Sequence, residues 1–131
     1  MTDFTGTYKV VSADNFDAFL KELGANDDMV AKLDPSTGQL TIKKNGPVYT
    51  LIQTSAMFDR EVQFELGKEY EDKHLDGSPV KGLVIADGNK LIQTACIDGK
   101  ELEVVRELNG DELIVTASFN GAVANGVYQR V

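Results

Sequence analysis

The sequence predicts an all-β protein: a ten-stranded antiparallel up-and-down β-barrel with a helix-turn-helix lid between strands 1 and 2. Three observations predict it. Asp76-Gly77, Asp87-Gly88, Asp98-Gly99, Asn109-Gly110 and Asn120-Gly121 fall eleven residues apart, and these dipeptides suit the positive φ angles of tight hairpin turns. The segments between them are rich in β-branched residues, as strands are. From Ser12 to Pro35 the apolar spacing instead becomes helical.

Taken in order, TGTYKVV reads as the first strand. In SADNFDAFLKELG, residues Phe16, Phe19, Leu20 and Leu23 follow i, i+3, i+4, i+7 spacing, the mark of a helix with one apolar face. Asp14 suits its start and Gly24 its end. A second short helix follows: Asn26 suits its cap, Asp27 and Asp28 suit its positive N-terminus, and Pro35 blocks continuation. Two helices between the first strands of a barrel cannot lie in the sheet, so they are expected to pack over a rim.

QLTIKK and VYTLIQTSA flank Asn45-Gly46, and EVQFEL and the short KEYEDK extend the meander. VKGLVIA, KLIQTACI, ELEVVREL, ELIVTASF and AVANGVYQRV then follow, each joined by a tight turn. A sheet of roughly ten such strands tends to curl or close, which removes exposed edges. A two-sheet sandwich is the alternative, but sandwiches usually need Greek-key crossovers, and no long connection follows residue 36. Residues 1–131 are expected to form one domain, with the helical cap at about 14–35.

Composition narrows the function. The formal net charge is −8 and the pI about 4.5, which argues against nucleic acid and against a polybasic grip on anionic lipid. No apolar run approaches the ~20 residues of a membrane span. The opening MTDFTGTYKV lacks the basic and apolar regions of a signal peptide. The single cysteine, Cys96, cannot form an internal disulfide and is expected to be a half-buried small hydrophobe. The cytosol is the expected compartment.

An enzyme is not expected. The one histidine, His74, lies beside a turn dipeptide, and no nucleophile triad is evident. DKHLDGSPVKGL resembles a calcium loop at Asp72, Asp76 and Gly77, but its twelfth position is Leu83, where that loop needs glutamate. No cysteine cluster suits zinc, and no glycine loop suits phosphate. No cofactor or metal is expected.

The barrel points to a cavity. Eight strands suffice to hold one small ligand, and ten enclose more. With no Trp, six Phe and four Tyr, the chain has few large side chains to fill it. Ser55, Gln93, Ala95 and Ala117 fall on inward faces and are small or polar. A flattened barrel with a packed core is the alternative.

The segment ELEVVREL sharpens this reading. One face of the strand carries Glu101, Glu103, Val105 and Glu107; the other carries Leu102, Val104, Arg106 and Leu108. Three aliphatics mark the second face as buried, so Arg106 goes inside. A buried guanidinium is strongly unfavourable without an anion or ordered water. A ligand carboxylate would fit its fork bidentately, and the Tyr128 hydroxyl on the last strand can donate to the same oxygen. A structural pair with an internal acid is the other option.

With those residues in hand, the sequence resembles the intracellular fatty acid-binding proteins, relatives of the cellular retinoid carriers. FTGTYKVVSADNFDAFLKELG is similar to the family signature at Phe4, Gly6, Asn15, Phe16, Asp17 and Gly24. FELGKEYEDKHLDG resembles the central motif, VVREL the strand carrying the inner arginine, and VYQR the C-terminal strand. The resemblance implies a ten-stranded clam-like barrel that carries one or two long-chain fatty acids, or a retinoid, and catalyses nothing.

In that family the carboxylate typically meets two arginines and a tyrosine. Arg106 and Tyr128 match two of these positions. The third is Gly126 here, a departure from the pattern. Arg130 shares its strand parity but is expected at the strand end, in solvent. A glycine within a strand often marks a bulge or a close backbone approach; a bulge at Asn125-Gly126 would alter which residues face inward. Gln53 and Gln93 lie in strands where the family places polar cavity groups, and Tyr8 stands where a tryptophan is usual. The carboxylate is therefore expected on Arg106, with Tyr128 and water completing its shell.

The fatty tail would lie along Leu51, Val104 and Val115. Phe16, Leu20, Met29 and Val30 of the lid, with Met57 and Phe58 on a neighbouring turn, would line the soft end through which a ligand passes. Lys21 and Lys32 suggest transient membrane contact through the lid, or simply solvated helix faces. A monomer is expected. A retinoid carrier, or a barrel interaction module that has lost its ligand grip at Gly126, are the alternative readings.

Overall fold

The computed structural model describes residues 3–22, 24, 38–54, 59–73, 79–97 and 99–131, with backbone alone for Leu20, Asp59, Arg60, Asp72, Lys73 and Pro79. Its elements in chain order are β1 (Gly6–Asp14), α1 (Phe16–Glu22), β2 (Gln39–Asn45), β3 (Val48–Thr54), β4 (Asp59–Glu65), β5 (Glu69–Lys73), β6 (Pro79–Asp87), β7 (Lys90–Ile97), β8 (Lys100–Asn109), β9 (Glu112–Phe119) and β10 (Ala122–Arg130). The expected second helix, from Asn26 to Pro35, lies outside the described residues.

Asp76-Gly77 lies outside the described residues; among the described residues the tight turns fall where the dipeptides place them. Gly46, Gly88, Gly99, Gly110 and Gly121 all take φ between 60° and 88°, a region that costs glycine no Cβ clash. Each of these turns returns the chain beside its predecessor, so the strands it joins pair antiparallel. The ten strands form one sheet in the order β4-β3-β2-β1-β10-β9-β8-β7-β6-β5. Pairing of β1 with β10 wraps the sheet into a barrel, leaving β4 and β5 as its two edges. Beside the gap between those edges, Gly67 in the β4–β5 turn donates its N–H to Val84 O on β6 at 2.9 Å. Phe64 on β4 and Tyr70 on β5 face each other across the gap, ring centroids 6.2 Å apart, and Tyr49 stacks on Phe64 at 5.5 Å.

Alternation sends one face of every strand inward. On β8, Val104, Arg106 and Leu108 are buried while Glu101 and Glu103 are exposed. Lateral pairing then aligns inner residues in rows. Val84, Gln93, Val104, Ala117 and Ala124 form one row across β6 to β10. Leu91, Arg106, Val115 and Gly126 form the next.

The strand register settles two readings along β1 and β10. Asn125 and Gly126 pair in unbroken succession with Thr116 and Val115, so no bulge lies there. The irregularity is on β1: Val10 pairs with Tyr128 and Ser12 with Val127, which leaves Val11 as the extra residue. Val11 is 66% exposed, consistent with a bulged residue turned to solvent. Asp14 does not cap the helix either. It ends β1, and Asn15 (φ 64°) takes the position before Phe16, its carbonyl accepting from Phe19 N–H at 3.2 Å. Gly24 does close the helix: at φ 106° its N–H donates to Lys21 O at 3.0 Å.

α1 is tied across β9 and β10. The Asn15 amide donates to Val123 O at 2.7 Å, and the Asn120 amide donates to Glu22 Oε2 at 2.8 Å. Phe19 is buried beneath the helix and meets Phe16 edge-on at 6.4 Å. Cys96 is corrected as well. With Ala95 and Ile97 turned inward on β7, the cysteine between them points out and is exposed. No helix among the described residues is long and apolar enough to cross a membrane.

Candidate functional site in the barrel interior

Arg106 is 6% exposed, and the parity of β8 puts it on the inner face. Its Nη1 donates to Gln93 Oε1 at 2.7 Å. The other end of the same amide, Nε2, donates to the Tyr70 hydroxyl. A three-residue polar chain thus runs across the interior from β8 through β7 to β5. Gln93 is 8% exposed and Tyr70 6%, so the chain is shielded from bulk water. In such surroundings a hydrogen bond to a charged group is worth about 1.5–3 kcal/mol.

Glycine makes this reach possible. Tyr70 pairs laterally with Gly82 on β6, the strand between β5 and β7. A Cβ on Gly82 would stand 2.6 Å from both the Tyr70 hydroxyl oxygen and its ring carbon Cζ, far inside van der Waals contact. Only a bare backbone lets the ring lie across β6 and meet Gln93.

On the other flank of Arg106 stands Tyr128, an inward residue of β10 that packs against the core without being fully buried. Burial pushes its phenol above the ordinary value, and the positive charge of Arg106 pulls it partly back. The phenol therefore keeps its proton at neutral pH and can donate it.

Gly126 is buried in the same strand. A Cβ there would meet the Phe16 ring at 3.3 Å and the Tyr128 ring at 3.4 Å. The aromatic ring of α1 occupies the space beside this glycine, so the close approach expected of a strand glycine is the finding here. Arg130 does not substitute at the site. Its guanidinium lies at the barrel rim beside the β8–β9 turn, over the Tyr8 ring at 5.3 Å. Nη2 donates to Tyr8 Oη and to Asp3 O, both at 2.9 Å. Nη1 pairs with Asp111 at 3.3 Å. Its side chain is 28% exposed, so the expectation of a solvent position is corrected to a half-buried clamp.

Of the other residues singled out in the sequence, Leu51, Val104 and Val115 are buried on inner faces. Gln53 follows Leu51 on the inner parity of β3 and is half-buried. Phe16 is half-buried against Gly126. Ser55, Met29, Met57 and Phe58 lie outside the described residues, as does the side chain of Leu20. Tyr70 and Gly82 were missed by sequence reasoning. The available signal was parity: Tyr70 is the one aromatic of KEYEDK, and Gly82 interrupts the inward face of VKGLVIA.

The model of the lipocalin / cytosolic fatty-acid binding protein family matches residues 5–131. A fatty acid-binding protein of Tyrophagus putrescentiae is 38% identical over 133 residues, covering 99% of both chains. Among solved structures, a fatty acid-binding protein from brain tissue of Drosophila melanogaster superposes with a TM-score of 0.86 at 34% identity, covering 97% of this chain and 99% of that one. A Schistosoma mansoni fatty acid binding protein in complex with arachidonic acid superposes with a TM-score of 0.88 at 28% identity, covering 100% and 98%. Matched along almost its whole length, the chain belongs to the lipocalin / cytosolic fatty-acid binding protein family.

Proposed function

We propose that this protein is a non-catalytic carrier of a long-chain fatty acid, holding the carboxylate on Arg106 with Tyr128 and water, and the tail along Leu51, Val104 and Val115. The observation that carries this reading is the arginine itself. Arg106 is turned inside a wrapped barrel, donates to the Gln93 amide, and has on its flank a phenol that keeps its proton. These donors suit an acid better than an alcohol. Gln53 and Tyr128 point inward yet are only half-buried, which supports space within the barrel for a chain. Relatives named fatty acid-binding protein, one of them solved with arachidonic acid, agree with such a cargo. The family description supports a cytosolic location; the protein acts there as a monomer, with its lid touching membranes transiently.

Burial of the tail drives affinity. Each methylene contributes up to ~0.8 kcal/mol, so about sixteen carbons offer on the order of 10 kcal/mol before ordering costs. That corresponds to roughly nanomolar to micromolar binding. Calorimetric titration of oleate into the delipidated protein tests the proposal. Saturable, sub-micromolar binding of one or two molecules per chain is expected; absence of saturable binding overturns it.

A further inference from the structure

Hydrogen-bond polarity constrains the chain from Arg106 to Tyr70 more tightly than its distances do. A guanidinium nitrogen can only donate. It therefore fixes Gln93 with Oε1 toward Arg106, and the NH₂ of the same amide must face Tyr70. The Tyr70 oxygen is thus an acceptor in this chain, and its own O–H proton remains to be donated. Among the described residues nothing accepts it. Tyr70 is 6% exposed, and a phenol buried to that degree normally finds an acceptor.

Position matters as much as polarity. In the sheet order, Tyr128 on β10 lies two strands from Arg106 on one side, and Tyr70 on β5 lies three strands away on the other. A carboxylate held between Arg106 and Tyr128 sits on the far flank from Tyr70. Two hydrogen bonds and the width of an amide separate the Arg106 guanidinium from the Tyr70 oxygen, a reach on the order of 7 Å. An acyl chain that turns from that carboxylate across the interior would pass Tyr70 within its first half. Gly82 holds the phenol there, because any Cβ at that position would strike it.

We infer that Tyr70, set by Gly82 and Gln93 across the interior from Arg106, donates its hydroxyl proton to a second ligand oxygen, so that the preferred cargo is an oxygenated fatty acid carrying an oxo, epoxy or hydroxyl group in the carboxyl-proximal half of its chain. This inference rests on the carrier reading. A saturated tail leaves the buried O–H without an acceptor. An oxygen at the right carbon supplies one, and discrimination of this kind comes from the site's own unmet polar group.

The test titrates the delipidated protein with stearate and with a series of stearates whose single oxo group is moved along the chain. An oxo group is an acceptor only, so it reads the donor directly. The wild type is expected to prefer one carboxyl-proximal oxo isomer over stearate by roughly two- to tenfold, and to show no preference for isomers oxidised near the methyl end. In Tyr70→Phe that ratio is expected to fall to near one. Gly82→Ala, which displaces the phenol without removing it, is expected to do the same, with circular dichroism confirming that both variants fold. Absence of an isomer preference in the wild type overturns the inference, with water or the carboxylate itself then accepting from Tyr70. A preference that survives Tyr70→Phe overturns it too. If neither stearate nor any oxo acid binds the wild type, the carrier reading itself has failed.

Discussion

The ring of Phe16 stands 3.3 Å from where a Cβ on Gly126 would be. The helix and the last strand are therefore fitted to each other: one supplies a large aromatic, the other removes its side chain. Two amide contacts, Asn15 to Val123 and Asn120 to Glu22, hold the same helix over the same strands. Gly126→Leu must then move the ring. It is expected to cost about 1–3 kcal/mol in denaturant unfolding, the usual range for overpacking. In a Phe16→Ala background the same substitution is expected to cost clearly less, and a double-mutant cycle reads the difference as the coupling of the pair. Equal costs in both backgrounds would mean that the ring is not what excludes a side chain at 126.

Arg106 is expected to set the choice of ligand headgroup. A charge-assisted hydrogen bond contributes about 1.5–3 kcal/mol, so Arg106→Ala should weaken oleate binding roughly ten- to hundredfold. Oleyl alcohol, which brings the same tail and no charge, should lose much less. Tyr128→Phe should cost oleate up to about tenfold. Calorimetry on the two ligands checks all three values. Parallel losses for acid and alcohol would place Arg106 in the structure of the barrel rather than in recognition.

Much of this architecture was legible because it is local. An Asn-Gly or Asp-Gly turn needs only its own φ angles, and strand alternation needs only parity. Among the described residues both survive in the structure, the turns at Gly46, Gly88, Gly99, Gly110 and Gly121. The placement of Arg106 was legible for the same reason, since its three aliphatic strand-mates fix its face. What escaped depends on distant partners. Asn125-Gly126 is the same dipeptide as Asn120-Gly121, yet it lies within a continuous ladder with β9. Phe16, far away in sequence, accounts for its glycine. Tyr70 and Gln93 are 23 residues apart, and their contact exists only because Gly82 lies between them. Arg130 was assigned to solvent by its place at a strand end, but the wrapped sheet brings Tyr8 and Asp3 to meet it.

Tyr8 closes the opposite end of the barrel from the helix. Fully buried, it donates to Phe4 O at 2.7 Å and accepts from Arg130 at 2.9 Å. Tyr8→Phe keeps the ring and removes both bonds, leaving a buried carbonyl without its donor. A loss of about 1–3 kcal/mol is expected, seen as a lower denaturant midpoint at unchanged m-value. Oleate affinity should stay within about twofold, because the clamp lies away from Arg106. A large drop in affinity would instead join this end of the barrel to the ligand site.

Tyr128 gives the carrier a defined response to alkaline pH. Its folded-state pKa is raised above 10.0, by burial first, with Arg106 opposing. A raised value means that the folded protein keeps a proton that the unfolded chain releases. The stability this contributes is fully present below 10.0 and is lost as pH rises through the higher folded value. Phenolate absorbance should therefore show late-titrating tyrosine in the native protein, and Tyr128→Phe should remove part of that late amplitude. Tyr8, raised mainly by its own burial, also contributes to it. Below its folded pKa the Tyr128 phenol still donates, so oleate affinity should hold constant from about pH 7 to about pH 9. A fall in affinity across that window, matched by early loss of the Tyr128 proton, would show that the phenol is not held protonated in the barrel.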